Sequence, residues 1–465
     1  MKLCTSILFS ILSYLSIGQI SGTWHTSFLI MGNSNRMDLT ISNYPLNPVG
    51  VMSDPDGSYK DVKMEKLIIT DSTISFYWSK IGLSFDGKFS KSVDSIIGRM
   101  SQMDVKWGAT FTRQEQEKVV AKRPQEPREP FAYPVEELFL KNGENIIAAT
   151  LTLPLNSGTN YPIVVLASGS GPQDRNCELL SHKPFLVIAD YLARNGIGSL
   201  RFDDRGVGKS TGVFQQASLI DFASDVKTCI NFLANDSRFK TNPVGIIGHS
   251  EGGMHALMAA KGNKNVAFVI ELASVGTSGR NVLIEQQYLV PKQSGKSEEY
   301  ALWNQELYAG LSQIISSKSQ QKATEPLNSF LDKMYVSSPP EYKDLTNIFN
   351  FKLALNMLLN NDWGRQFLTF ETKDYLSKLK IPILAINGSQ DIQVPAISNN
   401  KGFSQNFSKK SKSASRAIII EGKNHLFQTC KSCSVMEYGD LEETFSEEVL
   451  ILMKDWIKGL KISVL

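Results

Sequence analysis

The pattern of the chain predicts an α/β protein: a mostly parallel, doubly wound sheet with a helical cap insertion, preceded by a small antiparallel β-domain. Three observations predict it. From about residue 131, short and nearly continuous apolar runs alternate with helical patterns, as strands buried on both faces require. Residues 23–113 instead alternate apolar and polar positions in short runs, the signature of antiparallel strands. Between about 277 and 372 the alternation stops and only helical patterns remain.

The chain has 465 residues, more than one ordinary domain, so two or three units are expected. A hydrophobic content of 42% is globular, and the formal net charge is +3. No long basic block is present, which argues against nucleic acid as a partner. Nothing in the pattern bears on oligomeric state.

Residues 1–18 read as a secretory leader. Lys2 supplies the positive start, Ile7 to Leu15 the short apolar core, and Ser16 and Gly18 the small residues before a cleavage point. The run is too short to span a bilayer as a helix, and no second long apolar stretch follows. The expected mature protein is therefore exported, periplasmic or extracellular, with no membrane span. Cys177, Cys229, Cys430 and Cys433 remain after the leader, too few for a disulfide framework. Cys430-Lys-Ser-Cys433 reads either as a small-loop disulfide or as two free thiols. With no matching Cys-x-x-Cys elsewhere, no metal site is expected.

Residues 19–113 form the expected sandwich or small barrel. Its runs include Trp24, Phe28 and Ile30, then Ile74, Phe76 and Trp78, with turn clusters such as Ser53-Asp-Pro-Asp-Gly57 between runs. No constellation of acids, histidines or cysteines appears there, so chemistry is expected elsewhere. Residues 114–130 are charged and broken by proline, an extended linker.

Residues 131–465 form the second domain. Val135–Leu140 and Ile146–Leu153 flank Asn142-Gly143, the pattern of a hairpin. Strands are expected at Ile163–Leu166, Ile197–Phe202, Val244–Ile247, Val266–Leu272, Ile381–Ile386 and Ala417–Ile420. Helices are expected at Pro184–Asn195, Leu219–Ala234 and, closing the chain, Glu442–Leu460. In such sheets the site lies beyond the carboxyl ends of the strands. The insertion at about 277–372 should sit over that site as a cap and shape the substrate pocket.

Val244–Ile247 leads into Gly248-His-Ser-Glu-Gly252 and then the helical run from Met254. A strand, a turn with glycines flanking a serine, and a helix have the form of a nucleophile elbow. The glycines are needed because side chains at the flanking positions would collide with the neighbouring strand and helix.

Four segments resemble the α/β-hydrolase superfamily and together span roughly 131–465. They are Ser168-Gly-Ser-Gly-Pro-Gln-Asp-Arg175, Phe202-Asp-Asp-Arg-Gly-Val-Gly-Lys-Ser210, the elbow, and Asn387-Gly-Ser-Gln-Asp391 with Gly422-Lys-Asn-His425. The first block and the elbow resemble the secreted bacterial esterases of the dienelactone-hydrolase and serine-aminopeptidase-like (S33) group. Many of those carry an additional β-rich N-terminal domain.

Nucleophilic catalysis needs a hydroxyl, a base and an acid that orients the base, and in this fold they follow in the order Ser, Asp or Glu, His. Ser250 fits the hydroxyl. Of the five histidines, His25 lies in the β-domain, His182 precedes the serine, His249 adjoins it and His255 is on the elbow helix. His425 alone follows a candidate acid and sits just past a strand. Asp391 stands five residues past Ile386 in a strand-end turn. Asp374 and Glu421 are its rivals, and Glu421 is the closer competitor. The oxyanion of acyl transfer needs backbone N–H donors. Glu251 is expected to give one and Ser170 the other, with Gly171 as the alternative, although Ser168-Gly169 replaces the His-Gly pair common in relatives. Asp174 and Arg175 are expected to order their loop or touch substrate. Gly208-Lys-Ser210 hints at a phosphate loop, but Asp203 stands where that motif needs glycine. Asp203 and Arg205 are instead expected to fix loops beside the site.

The reading is a cofactor-free serine hydrolase that cleaves carboxylic esters through an acyl-enzyme and a Ser250–His425–Asp391 triad, its partner a small-molecule ester or short peptide substrate. Aminopeptidase, amidase and thioesterase chemistry are the alternatives on the same residues. A catalytically inactive binding protein is the alternative of another class, and it would predict a missing triad member.

Overall fold

The computed structural model describes residues 20–461 apart from 31, 103–104, 156–157, 159 and 344–345. The expected leader, 1–18, lies outside the described residues. The chain divides into two compact units between Lys122 and Arg123, inside the proline-broken stretch 114–130.

In the first unit nine antiparallel strands, from Gly22–Ile30 to Val105–Thr112, belong to one sheet. Its two edge strands are Val62–Lys63 and Lys66–Ile69, at opposite ends of the pairing order. Only Met64 and Glu65 separate them in the chain, so the sheet must curl until its edges meet. A Cβ built on Gly50 would come 3.1 Å from Leu67 Cδ2, across that join. Of the two expected forms, sandwich or barrel, the unit takes the barrel-like one, which leaves no long unpaired edge. Trp24, Phe85 and Phe111 are fully buried inside it, with Phe85 and Phe111 edge to face at 5.2 Å.

The second unit is built on eight strands: β1 (Val135–Asn142), β2 (Asn145–Thr152), β3 (Ile163–Ala167), β4 (Gly198–Phe202), β5 (Val244–His249), β6 (Val266–Leu272), β7 (Ile383–Gly388) and β8 (Arg416–Ile420). Their order is β1-β2-β4-β3-β5-β6-β7-β8. The hairpin and its pairing to β4 are antiparallel, and β4 to β8 run parallel. Asn142 pairs with Asn145, so the hairpin loop is Gly143-Glu144, one residue beyond the expected position. Gly143 takes the positive φ of 61° that the turn needs.

The α-helices longer than four residues are α1 (Pro184–Arg194), α2 (Leu219–Asn235), α3 (Glu251–Ala260), then α4 (Gly279–Gln293), α5 (Glu298–Ser317), α6 (Gln320–Val336), α7 (Ile348–Leu359) and α8 (Asp362–Thr369), and finally α9 (Ala396–Asn406) and α10 (Glu447–Gly459). Alternate side chains of each central strand serve different faces. Val165 and Ile246 meet α2 and α3 through Val226, Leu233, Met254 and Leu257. Val164, Ile247 and Ile270 meet α1 and α10 through Ile188, Leu192, Val449 and Met453. Ser218 and Asp221 close a capping box at the start of α2. α10 starts at Glu447 rather than Glu442. The N–H groups of Thr444 and Phe445 are bound to Gln125 Oε1, and that of Ser446 to Phe427 O, so these residues stay out of the helix.

Helices α4 to α8 fill the interval between β6 and β7 and have a core of their own. Trp303, Leu307 and Leu311 of α5 pack with Leu327 and Leu331 of α6 and with Phe351, Leu355 and Leu359 of α7. Leu353, on the same helix, faces solvent at 47% exposure. Among the described residues no helix is long and apolar enough to cross a membrane.

Between β5 and α3 the backbone is crowded. A Cβ on Gly248 would fall 2.4 Å from Gly252 O, and one on Gly252 would fall 2.2 Å from Ala167 O. Both collisions are with main chain, which has no rotamer to escape into. Gly252→Ala is therefore expected to cost about 1–3 kcal/mol, a fall of roughly 2–10 °C in the Tm of this unit. Calorimetry of the full chain checks it, and an unchanged Tm would show that the elbow is not tightly packed.

Candidate active site

β5 ends at His249 and α3 begins at Glu251, so Ser250 alone makes the turn. Its φ of 55° and ψ of −123° cost a non-glycine residue about 1–3 kcal/mol. Hydrogen bonds hold it there: Ser250 N–H donates to Leu272 O at 2.9 Å, and Gly253 N–H donates to Ser250 O at 3.1 Å.

Asp391 lies three residues past β7, buried at 4% exposure. Its Oδ1 accepts from the N–H groups of Gln393 and Val394, both at 2.8 Å. Its Oδ2 is 2.8 Å from His425 Nδ1. With Nδ1 donating to the carboxylate, Nε2 is the ring nitrogen left to work as a base. The loop after β8 that carries His425 is shaped by Asn424, whose Oδ1 accepts from Leu426 N–H and Gln428 N–H. Glu421 and Asp374, the rival acids, are exposed.

Ser250 and His425 line one cleft of about 220 Å³. Among the described residues no hydrogen bond joins the Ser250 hydroxyl to the His425 ring. In hydrolases without substrate that contact is often long and tightens in the Michaelis complex. Cap residues Val282, Leu283, Gln286, Leu359, Trp363 and Phe367 complete the cleft. Cys177 also lines it, but burial pushes its thiol up to about 12, so it holds its proton and is no rival nucleophile.

Ser168–Gly171 lies against the elbow: a Cβ on Gly169 would come 3.1 Å from Ser250 Cβ. Ser170 and Glu251 both line the cleft, whereas Gly171, at φ 89°, is not among the lining residues. The backbone N–H of Glu251 opens α3, where the helix dipole adds to its pull on an anion.

Asp174, Arg175, Asp203 and Arg205 are not brought to the cleft wall. Arg175 forks onto Asp203 at 3.0 and 2.7 Å. Arg205 forks onto Asp225 at 2.8 and 2.9 Å. Asp174 caps its own loop through Asn176 N–H and Glu178 N–H. All four order loops.

Three residues that the sequence reading passed over hold the site. Asp204, buried at 5% exposure, takes Ser168 Oγ and Gln173 N–H at 3.0 Å each and so grips both ends of the loop after β3, the expected oxyanion loop. His249 donates from Nε2 to His425 O at 2.9 Å. Burial, with His425 alongside, pushes it down to about 3, so it is a neutral strut. Trp363 of α8 donates from Nε1 to Glu251 Oε1 at 3.1 Å. The other histidines are structural too. His182 bridges Thr444 Oγ1 and Tyr438 O, and His255 stacks on Phe222 at 5.3 Å. His25 pairs with Asp38 in the first unit.

Among the described residues one group of metal-type side chains lies close together, Cys430, Cys433 and Glu437. The two cysteines are joined as a disulfide and offer no thiolate, so of the two forms open in the sequence the bridged one is found.

The sequence profile of the X-Pro dipeptidyl-peptidase (S15) family matches residues 143–426, more than half of the chain and every residue of the candidate site. The chain belongs to this family. It is thus an α/β-fold serine hydrolase. No curated protein matches this S15 chain. Its fold is similar to a dienelactone hydrolase from Anabaena variabilis, with 15% identity over 70% of this chain and 97% of that one and a TM-score of 0.39. It is also similar to an esterase from Pyrococcus furiosus, with 15% identity, 73% and 98% coverage and a TM-score of 0.43. A proline iminopeptidase from Mycobacterium smegmatis gives 14%, 70% and 98%, and 0.42.

Asp204 supplies a pH-dependent test in this S15 chain. Burial pushes its carboxyl up to about 7. A folded value raised above the unfolded one means that its contribution to stability is full below about pH 4 and is lost as pH rises through 7. In Asp204→Asn that slope disappears, so the Tm of the variant relative to the parent should improve between pH 5 and 8. The amide would also turn its NH2 toward Ser168 Oγ or Gln173 N–H, and kcat should fall about tenfold. Parallel melts and kinetics check both. A variant with unchanged kcat would remove Asp204 from any role in holding the oxyanion loop.

Proposed function

We propose that the chain hydrolyses carboxylic esters through an acyl-enzyme. Ser250 Oγ attacks the ester carbonyl while His425 Nε2 takes its proton, and Asp391 holds the imidazole in place. The tetrahedral oxyanion sits against the N–H groups of Glu251 and Ser170, with Gly171 as the alternative donor. Collapse breaks the acyl–oxygen bond, and His425 returns its proton to the leaving alkoxide. A water molecule activated by His425 then attacks the acyl-enzyme, which releases the acid and restores the Ser250 hydroxyl. No metal or cofactor enters these steps.

The observation that carries this reading is the 2.8 Å contact of His425 Nδ1 with Asp391 Oδ2 on the rim of the cleft that also holds the strained Ser250. The ester preference draws on the resemblance of the elbow and the Ser168–Arg175 block to dienelactone hydrolases. It also draws on the cleft lining, where Glu251 is the one carboxylate and already receives the Trp363 indole. Amide chemistry is the second reading. The family description, X-Pro dipeptidyl-peptidase, favours it, and Glu251 would then meet the substrate amine.

A fluorophosphonate probe should label the parent protein and leave Ser250→Ala unlabelled, with kcat reduced at least about a thousandfold. Asp391→Asn should cost about ten-thousandfold, since the imidazole then rests in the wrong tautomer. Short and long p-nitrophenyl esters beside X-Pro anilides decide between the two readings. Ester cleavage that survives Ser250→Ala would end both.

We also propose that the enzyme is exported. The leader pattern of 1–18 and the Cys430–Cys433 bridge support an oxidising compartment. Expression with the leader should yield extracytoplasmic protein beginning at Gln19, read by N-terminal sequencing; retention of Met1 on exported protein would exclude cleavage there.

A further inference from the structure

A second chamber, of about 280 Å³, lies within the cap and shares a wall with the cleft. The same two helices run along both. α4 gives Val282, Leu283 and Gln286 to the cleft, and Gln286, Gln287 and Val290 to the chamber. α7 gives Leu359 to the cleft and Leu355, one turn earlier, to the chamber. The cavities are consecutive along one helical seam, and Gln286 stands between them.

Their linings differ in chemistry. Beside Ser250 the cleft is walled by Val275, Val282, Leu283, Leu359, Phe367 and Val394, which suits an apolar acyl group. The chamber is walled by three phenols, Tyr300, Tyr308 and Tyr342, and three carboxamides, Gln286, Gln287 and Asn304. No Asp, Glu, Lys, Arg or His is among its described lining residues. A charged ligand would lose its hydration there without gaining a counter-charge. A purely apolar one would strip water from the phenols and amides and leave them unpaired.

The polar groups are built in. Asn304, at 7% exposure, donates from Nδ2 to Gln287 O at 2.7 Å and to Gln287 Oε1 at 2.9 Å, which sets the Gln287 amide. The hydroxyls of Tyr308 and Tyr342 make no hydrogen bond among the described residues. Burial raises both phenols, Tyr342 up to about 12, so both remain donors. Tyr342 is itself wedged against Trp303 at 4.7 Å and Tyr300 at 6.0 Å, so it is held as a fixed ring.

We propose that this chamber is a subsite for the leaving-group side of the substrate, and that it takes a neutral ring bearing hydroxyl groups, a sugar or a phenol. The ring lies against tyrosine faces while its hydroxyls meet Tyr308, Tyr342 and the carboxamides. The assignment as a leaving-group site rests on the ester-hydrolase reading above; the binding of the ring does not.

The test uses the full chain and the variant Tyr308→Phe/Tyr342→Phe, which keeps both rings and removes only the hydroxyls. Ethyl acetate, a 6-O-acetyl hexose and a dihydroxyphenyl monoacetate share one acyl group. The variant should lower kcat/KM for one of the ring acetates at least about tenfold and leave ethyl acetate within twofold. Whichever ring acetate falls identifies sugar or phenol. A parallel fall for ethyl acetate, or no fall for either ring, would overturn the subsite. Ligand-observed NMR of methyl glucoside and of resorcinol, on Ser250→Ala protein with and without the two tyrosine changes, reads the chamber apart from catalysis. Binding that the phenylalanines abolish upholds the ring site even where no ester is cleaved. No binding of either ring to the protein with intact tyrosines would reject the site, whatever the outcome for the ester reading.

Discussion

Close approach of three stretches of main chain at one point underlies everything in the second unit. The end of β5, the first turn of α3 and the end of β3 come together where Gly248, Gly252 and Ala167 leave no room for another carbon. That proximity forces Ser250 into its left-handed turn and lifts its hydroxyl off the sheet. It also brings the loop after β3, with Ser170, beside the first N–H of α3. The proposed nucleophile and both proposed oxyanion donors thus come from one packing event. A methyl group at Gly252 would disturb all three.

The proposed base reaches this point by a different route. His425 rides on a loop, which alone would be a loose support. Buried hydrogen bonds make it stiff. Asn424 and Gln428 bind each other, 2.9 Å from side chain to side chain, and Gln428 Nε2 reaches Tyr438 O and Glu443 O. His182, neutral because burial and the nearby Arg123 push it down to about 4, lies 3.1 Å from that same amide. Farther along, the Cys430–Cys433 bridge closes a turn whose N–H groups, from Lys431 to Cys433, all point at Glu437. The imidazole is thus placed by polar contacts that span the whole C-terminal segment.

Much of this is legible in the sequence, and the part that is not has a physical reason. Strands such as Ile163–Leu166 and Val266–Leu272 stand out because burial on both faces leaves unbroken apolar runs. Ser250, Asp391 and His425 stand out because chain order and strand ends select them from many serines and acids. Asp204 does not. It sits between Asp203 and Arg205, and only the direction of a tight turn decides which of the three faces the oxyanion loop. The start of α10 is hidden for another reason. The acceptor that holds Thr444 and Phe445 out of the helix is Gln125 Oε1, more than 300 positions away in the chain. The meeting of the first sheet's two edges is similarly non-local, because each strand shows the same alternation whether the sheet is open or curled.

One contact joins the cap to the chemistry. Glu251 follows the proposed nucleophile, and in the proposed mechanism its own N–H faces the position where the oxyanion forms. A carboxylate free beside that position would oppose the developing charge. Instead its Oε1 is drawn away, 3.1 Å from the Trp363 indole and 3.2 Å from His255 Nε2 one helical turn on. Trp363 belongs to α8, stacks on Phe367 at 5.4 Å and packs against the cap core. Any displacement of the cap that carries α8 away would therefore break a hydrogen bond to a buried carboxylate, which costs more than an ordinary one. On the proposed reading, the cap with its ring subsite and the oxyanion hole are in this way linked through a single side chain.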